Sequence, residues 1–488
     1  MRIEPITSRF VLFALVGAAA GCASAGSRAL TASPVQTTAW STTVQGVTTS
    51  DTGDLSRWWE RLGDATLTEL IDRAVADSPT IHIAQARLRQ SRAQREQAAA
   101  ALWPTVSAGG SAATQRSGNR VFSEDGSSTV TRNSMTGSYG ASIDASWEPD
   151  IFGGTRRGID AASADLLASE ATLHGAHVSL AAEVAVTYGE LRALQARLDI
   201  ARRNEQSQAE TLELTAFREQ AGLVGSLDVE QARASVEQTR AQIPSLEASI
   251  AQATYRLATL AGAEPGSLTA RLSAPAPLPA VPDSVAVAIP AETLRQRPDV
   301  RAAEQTIVAE TARLDQSRRQ QYPRFSLSGT VGLQVLTGAV SGGTTTMASL
   351  AANAMQTLFD HGRIRQQIAI QSAIQEQAVA SYEATVLTAL EEVENSLVSM
   401  EMARVRLQSL VAARAAAETA ALLARSQYSA GLTDFQTVLI TERSILTLQE
   451  SVAMTEGDRL TALIQLYKAL GGGWSPAATA TALSGATS

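Results

Sequence analysis

The chain has 488 residues, a formal net charge of −8 and a single cysteine, and 44 % of its residues are hydrophobic. This length is sufficient for a large core or several packed layers, whereas one cysteine excludes an internal disulfide framework. The acidic balance and the lack of a basic cluster interleaved with aromatic residues argue against nucleic acid as a partner.

The first residues have the pattern of a secretory signal. Arg2 and Arg9 precede a short apolar run over residues 10–16, and small residues lead to Cys22. Because this run is too short to remain as a spanning helix, we expect residues 1–21 to be a signal peptide that is removed. Ala-Gly-Cys at this position resembles a bacterial lipoprotein box, so we predict that Cys22 is acylated and anchors the mature chain. Ordinary signal cleavage nearby is the alternative.

The composition then divides the mature chain into segments. Residues 22–54 are rich in Ser, Thr, Ala and Gly, which predicts an extended tether that carries the lipid. Residues 475–488 have a similar composition and are expected to form a flexible tail. Two structural repeats are predicted between these ends, over residues 55–262 and 291–474, with a Pro-rich linker at 263–290.

Four short segments alternate apolar and polar residues, which is the pattern of a strand with one apolar face. Residues 139–147 and 325–335 show the pattern strongly, and residues 106–115 and 345–355 show it more weakly. Each has about the 9–11 residues that a tilted strand needs to cross a bilayer. The alternative is a surface hairpin on a soluble helical domain, which leaves unexplained why both hairpins occupy the same place in each repeat.

Each predicted hairpin is followed by a long helical segment. Residues 364–428 contain neither proline nor glycine and are dominated by strong helix formers, which predicts a helix about 98 Å long. A turn follows at residues 430–433, and a return helix then extends to Leu470. Residues 159–220 and 227–260 form a second pair of predicted helices with the same order.

Glycines and prolines recur at fixed offsets in the two halves of the chain, which indicates a tandem duplication. At an offset of 209, Gly222 falls on Gly431 and Gly262 falls on Gly471. At an offset of 219, Pro79 falls on Pro298 and Pro104 falls on Pro323, and each pair brackets a further predicted helix.

One difference separates the return helices. Pro244 lies inside the first of them, where we expect a kink.

Four strands cannot close a transmembrane barrel, and an open sheet edge is not tolerated in hydrocarbon. We therefore expect several chains to contribute four strands each to one shared barrel. The predicted fold is mainly α with a small transmembrane β part, in which duplicated long helical hairpins project from the strand-rich end and form a tube on assembly.

Several motifs, in this order along the chain, resemble those of the outer membrane efflux proteins, the TolC-like outer membrane factors. The similarity covers residues 55–474 and is nearest to the NodT-type lipoproteins. The motifs are Trp58-Trp59-Glu60-Arg61-Leu62-Gly63-Asp64, Arg297-Pro298-Asp299-Val300-Arg301-Ala302-Ala303-Glu304, Tyr322-Pro323-Arg324-Phe325, Leu358-Phe359-Asp360-His361-Gly362-Arg363, Ala430-Gly431-Leu432-Thr433-Asp434-Phe435, and Leu466-Tyr467-Lys468-Ala469-Leu470-Gly471-Gly472-Gly473-Trp474.

This resemblance implies a homotrimer with a twelve-stranded barrel among the lipids of the outer membrane and a helical barrel in the periplasm. It also implies a periplasmic adaptor protein and an inner-membrane pump of the resistance-nodulation-division class as partners. The expected function is that of a passive, gated conduit that exports small molecules such as drugs.

The resemblance further implies that the turns between the helices contact the adaptor. The residues concerned are Gly222 and Leu223 in the first repeat and Gly431, Leu432 and Thr433 in the second. Glycine is expected at such a turn because a helix often ends in a left-handed conformation. The alternative is a helix-hairpin turn without a partner.

In relatives, acidic residues beyond the second turn surround the closed periplasmic entrance, whereas Thr437 and Ile440 occupy those places here. Asp228, Asp434 and Glu442 are the candidate replacements. An Asp after a helix turn is also a common N-terminal cap of the next helix.

No catalytic residue, metal site or cofactor is predicted. His174 and His177 lie three apart on a predicted helix, but no carboxylate or thiol stands obviously beside them, so an exposed or interface pair is the preferred interpretation. Gly471-Gly472-Gly473 lacks the Lys-Ser/Thr of a phosphate-binding loop. An enzyme is therefore not expected.

Two other functions remain open from the sequence. A protein-export conduit of a type I secretion system would use the same tube with a different pump. A periplasmic adaptor also has coiled-coil hairpins and often a lipid anchor. However, it has one hairpin, whereas this sequence has duplicated hairpins and paired amphipathic strands.

Overall fold

The structure is a computed structural model, and it describes residues 40–41, 47–49, 55–118, 133–282, 285–287, 290–338 and 343–474. The predicted signal peptide, Cys22 and the predicted C-terminal tail lie outside the described residues. The outer loop of the first strand pair also lies mainly outside them. No helix in the described ranges is both long enough and apolar enough to cross a membrane.

Two helical hairpins dominate the fold. The first consists of α3 (Gly154–Gln220) and α4 (Ser226–Leu260), and the second of α8 (Arg363–Ser429) and α9 (Phe435–Ala469). Both long helices have 67 residues and both return helices have 35. The long helices therefore extend for about 100 Å, as the sequence predicts.

Helix α3 begins before the predicted start at Ile159. The carboxylate of Asp150 accepts hydrogen bonds from the backbone N–H groups of Thr155 and Arg156, at 3.0 and 2.9 Å. This cap satisfies N–H groups that lack a partner within the helix, so the helix begins at Gly154 despite the local glycines.

Helix α4 is continuous through Pro244, where the sequence predicts a kink.

The remaining elements are shorter than the helices of the two hairpins. They are β1 (Val47–Thr49), a 3₁₀ turn (Trp58–Leu62), α1 (Ala65–Asp77), α2 (Pro79–Ala100), β2 (Thr105–Gly118), β3 (Asn133–Trp147), α5 (Thr269–Leu272), β4 (Val285–Val287), α6 (Pro290–Gln296), α7 (Pro298–Arg319), β5 (Arg324–Gly338) and β6 (Gly343–Met355).

Matching glycines end the helices of both hairpins. Gly222 and Gly431 have φ angles of 75° and 78°. In each turn the following N–H donates back into the helix, from Leu223 to the carbonyl of Arg218 at 2.9 Å and from Leu432 to that of Gln427 at 2.8 Å. This is the Schellman arrangement, which satisfies carbonyls at a helix end.

The four long strands form one antiparallel sheet in the order β2-β3-β5-β6. Register pairs Ala108 with Ile143 across β2 and β3, and Ile143 with Val331 across β3 and β5. Because side chains alternate along a strand, the apolar positions fall together on one face of the sheet. Both hairpins of the sequence prediction are therefore confirmed, and they join into a single sheet.

The main core lies around the middle of the long helices. The 3₁₀ turn and α1 pack there against α3 and against the C-terminal ends of α4 and α9. Trp58 is fully buried and stacks on Tyr467, with ring centroids 5.2 Å apart. This core fixes the two hairpins side by side.

Parts of the predicted tether and linker pack on this body. Trp40 packs against the main core, and the N–H of Ser41 donates to Glu394 Oε1 at 2.6 Å. Strand β1 pairs in parallel with β4, inside the predicted linker. Leu268 and Leu272 of that linker are buried in the core.

Helix α7 joins the two repeats, because it packs against both α3 and α8. At its start the guanidinium of Arg297 is almost fully buried. It donates to the carboxylates of Asp299 and Glu392 and to the carbonyl of Ala469, which ties α7 to α8 and α9.

Candidate functional site

The candidate site has two parts, the turns at the end of the hairpins and the polar face of the sheet. We call residues 221–225 the first tip and residues 430–434 the second tip. Leu223 and Leu432 are 66 % and 78 % exposed, whereas Thr433 is half-buried. Each tip thus presents a large apolar side chain to its surroundings, at the residue directly after the left-handed glycine.

Arg218 connects the ends of the two long helices. Its guanidinium donates to the carbonyl of Tyr428 and, at 3.3 Å, to that of Ser429. It also lies over the Tyr428 ring, 4.5 Å from the centroid. A cation at a helix C-terminus is favourable because carbonyls there carry partial negative charge. The contact crosses between repeats, and at the offset of 209 its counterpart is Gln427.

Asp434 caps helix α9. Its carboxylate accepts from the N–H of Thr437 at 2.9 Å and from the Thr437 hydroxyl at 2.7 Å. The hydrogen bonds from Thr437, the hydroxyl's foremost, hold the pKa of Asp434 below its usual value. The cap alternative raised from the sequence is therefore realised, although Asp434 remains exposed.

Asp228 is half-buried in the first turn of α4. At the offset of 209 it matches Thr437, so it is an acidic residue at the corresponding position of the other repeat.

Glu442 occupies a different environment from the other two acids. It is 2 % exposed and accepts from the Thr211 hydroxyl at 2.8 Å and from Arg425 Nε at 3.0 Å. Burial raises the pKa of Glu442, while the contacts with Thr211 and Arg425 oppose that shift. The three residues belong to α9, α3 and α8, so this carboxylate links both hairpins inside one chain.

A second polar contact joins the same helices. Asn204 of α3 donates to Gln449 Oε1 of α9 at 2.8 Å. We call the Thr211–Glu442 and Asn204–Gln449 contacts the hairpin seam. The sequence prediction missed Asn204, Thr211 and Gln449, and polar residues in otherwise apolar helix positions were the only available signal.

The polar face of the sheet carries hydroxyl, amide and carboxylate groups. Asp144 accepts from Thr330 at 2.7 Å and from Ser142 at 2.8 Å. Ser146 of β3 lies opposite Thr105 of β2, and their hydroxyls are 2.8 Å apart. This face can line a water-filled passage, while the opposite face is apolar.

The histidine pair lies away from both parts of the site. The rings of His174 and His177 are 6.3 Å apart, and His174 stacks on Trp474 at 4.6 Å. Burial, helped by the neighbouring His177 and Arg301, lowers the pKa of His174 to about 4. No group of three or more His, Cys, Asp or Glu that could hold a metal is found among the residues described.

Comparison with known proteins gives a consistent family. The model of the outer membrane efflux protein family matches residues 70–263 and 289–472. A pyoverdine export outer membrane protein, OpmQ of Pseudomonas aeruginosa, is 32 % identical over 87 % of this chain and 89 % of its own length. Nodulation protein T of Rhizobium leguminosarum bv. trifolii is 29 % identical over 89 % of this chain and 91 % of its own length.

The fold has solved relatives as well. The outer-membrane channel OprN superimposes with a TM-score of 0.80 at 34 % identity, covering 90 % of this chain and 98 % of that channel.

Proposed function

The chain belongs to the outer membrane efflux protein family, and from that membership we propose that it is the outer membrane channel of a tripartite efflux system. In this proposal three copies assemble, an adaptor binds their tips, and an inner-membrane pump of the resistance-nodulation-division class supplies the energy. Acyl chains on Cys22 add a lipid anchor to the outer membrane.

The observation that carries this proposal is the four-stranded sheet. It has one apolar and one polar face, and neither β2 nor β6 has a partner at its outer edge among the described strands. An open edge is costly in hydrocarbon because each unpaired backbone group there lacks a hydrogen bond. Pairing β6 of one copy with β2 of the next removes every such edge once the ring closes, and the family implies closure at three copies.

Transport in this account requires no chemical step. The substrate diffuses along a passage that the polar face of the sheet and the helices enclose, so no catalytic residue or cofactor is needed. The efflux and export roles in the names of relatives support small molecules as the cargo.

In this proposal the passage is controlled at the helical end. The tips carry exposed Leu223 and Leu432 for the adaptor, and the seam around Glu442 holds the two hairpins together. Asp228 and Asp434 are proposed as the acids nearest the entrance. An adaptor opens the passage only if it binds the open arrangement of the hairpins more tightly than the closed one.

A deletion strain tests the proposed function. We expect it to become more susceptible to drugs, dyes or metals, and the intact gene to restore resistance. A Cys22→Ser variant with its signal retained lacks the proposed lipid anchor. The resistance that this variant restores to the deletion strain therefore measures transport without the anchor. If no susceptibility changes while a secreted protein disappears from the medium, the efflux role is wrong and the type I secretion role is favoured.

A further inference from the structure

A cleft opens where the sheet meets the helices, and its lining changes from charged to apolar along its length. The guanidinium of Arg319, the last residue of α7, lies 6.0 Å from the centroid of the Tyr322 ring. Tyr322 stacks on Phe152 with centroids 4.9 Å apart, and Phe152 lies 6.4 Å from Phe325 in β5. These four residues line one cleft with a volume of about 210 Å³, which we call the junction cleft.

The apolar end of the junction cleft continues onto the sheet. Phe325, Leu327 and Val331 alternate with polar residues along β5, so their side chains fall on the apolar face of the sheet. Leu327 and Val331 are exposed there. The order along this surface is a guanidinium, then aromatic rings, then an apolar face. A phospholipid has the same order of polarity, from its headgroup to its acyl chains.

The length of the sheet places the junction cleft at the level of lipid headgroups. Strand β5 has 15 residues. At about 3.3 Å per residue and a tilt of about 45°, such a strand crosses roughly 35 Å. The hydrocarbon core is about 30 Å thick, so the first residues of β5 lie in the headgroup region on the side of the helices. Aromatic rings are common at this depth.

The charges of the junction cleft have both signs. Arg319 and Arg324 line it together with Glu148, and none of the three has an ion pair among the described residues. Asp150 also lines the cleft, but both of its oxygens accept the N–H groups that cap α3. The cleft therefore presents guanidinium groups and one carboxylate that no other side chain of the described chain neutralises.

The duplication shows that the local fold does not require these arginines. Helices α2 and α7 both have 22 residues, and β2 and β5 each begin five positions after the helix end. At the offset of 219, Arg319 corresponds to Ala100 and Arg324 to Thr105. The same helix-to-strand turn thus forms in the first repeat without either charge.

We propose that the junction cleft binds the headgroup of a phospholipid from the periplasmic leaflet, one that carries both a phosphate and a primary ammonium, as phosphatidylethanolamine does. Arg319 donates hydrogen bonds to the phosphate, a group that a guanidinium can contact through two N–H groups at once. Glu148 accepts from the ammonium, and the acyl chains lie against the apolar face beyond Phe325. The inference rests on the proposed function, because it takes this face to lie in the outer membrane.

Lipid binding to the purified particle tests this site. The particle is delipidated in mild detergent and titrated with phosphatidylethanolamine, phosphatidylcholine or phosphatidylglycerol with identical acyl chains, and native mass spectrometry counts the bound lipids. We expect phosphatidylethanolamine to saturate at one molecule per chain. The other two lipids are expected to bind about tenfold more weakly, because choline has no N–H to donate and glycerol has no cation for Glu148.

Two substitutions separate the contributions of the headgroup contacts. Arg319→Ala, which introduces the residue of the first repeat, is expected to weaken binding of all three lipids by about tenfold. Glu148→Gln is expected to reduce the affinity for phosphatidylethanolamine to that for phosphatidylcholine and to leave the latter unchanged. Arg89→Ala is the matched control. Arg89 is an exposed arginine of α2 without an ion pair among the described residues, about 16 Å along the helix from its end.

The outcomes distinguish this site from the proposed function. Equal binding of the three lipids, a preference for phosphatidylglycerol, or an Arg319→Ala variant that binds like the unsubstituted chain would each overturn the site. Equal binding would show that only the apolar face holds lipid. These results leave the proposed function intact as long as the chain is recovered from outer-membrane fractions. Its absence from those fractions contradicts the proposed function itself.

Discussion

Two glycines of the first repeat, Gly222 and Gly262, have the same left-handed backbone but different surroundings. Their φ angles are 75° and 68°. A Cβ on Gly222 would meet nothing within 4 Å, whereas a Cβ on Gly262 would lie 2.3 Å from the backbone oxygen of Asp77. The first glycine is thus required by conformation alone, and the second by conformation and close packing.

We predict that alanine has unequal effects at these positions. Gly222→Ala is expected to lower the free energy of unfolding by about 1–2 kcal/mol, the cost of a left-handed conformation for a residue with a Cβ. Gly262→Ala is expected to cost more, because the chain must also move away from Asp77. Denaturant unfolding of the two variants measures the difference, and equal losses would contradict it.

Glu442 provides the prediction on pH. Its pKa is raised in the folded chain above the ordinary value of 4.5, so the folded state holds the proton more tightly than the unfolded state. The stability that this proton contributes is present below pH 4.5 and is lost as pH rises through the raised pKa. Relative to a Glu442→Gln variant, the native chain should therefore lose stability as pH rises through this range.

Thermal unfolding of both proteins across the acidic range measures this difference. A difference that does not vary with pH would show that Glu442 has no raised pKa. An Asp434→Asn variant serves as the matched control, because the pKa of Asp434 is lowered and its contribution is lost in the opposite direction, as pH falls.

For individual residues, the sequence predicts the backbone conformation better than it predicts the surroundings of a side chain. The glycines of both tips could be placed because a helix end and a left-handed turn are local features. The burial of Glu442 could not, since Thr211 lies more than two hundred positions away in the chain and Arg425 lies on another helix. Local sequence does not record which distant side chains meet a carboxylate.

Among the elements, the long helices and strands were predictable for the same physical reason. A period of 3.6 or 2 residues sustained over a whole segment reflects the face that the element buries. The prediction was less accurate at the start of α3, where the cap from Asp150 determines the helix end. It also did not show that β3 of one repeat pairs with β5 of the other, because strand pairing depends on register between distant segments.

The two faces of the sheet predict opposite effects for adjacent substitutions. Ile143 is on the apolar face, and Ser142 is on the polar face beside Asp144. Ile143→Arg is expected to cost about 2–4 kcal/mol in the membrane, since an arginine near the bilayer midplane faces lipid. Ser142→Arg instead places the charge in water near a carboxylate.

The amount of heat-modifiable protein in outer-membrane fractions measures both effects. We expect a strong reduction for Ile143→Arg and near-normal amounts for Ser142→Arg. Equal amounts for the two variants would mean that the two faces do not separate lipid from water.

Considered as a whole, the single chain has the features of one subunit of a larger assembly. Both edges of its sheet lack a partner strand among the described residues, and large apolar side chains such as Trp103 and Phe359 are exposed beside those edges. The internal duplication explains this, because β3 of one repeat pairs with β5 of the other, whereas β2 and β6 are left at the edges of the sheet. Sequence alone reveals the duplication, while the structure shows which contacts are left open by it.

The most direct test of this account is the mass of the native particle extracted from outer membranes in mild detergent. We predict a particle of three chains, which brings together twelve strands and closes every sheet edge. A stable particle of a single chain that stays soluble without detergent would contradict the account, because its apolar sheet face and open edges would then need neither lipid nor a neighbour.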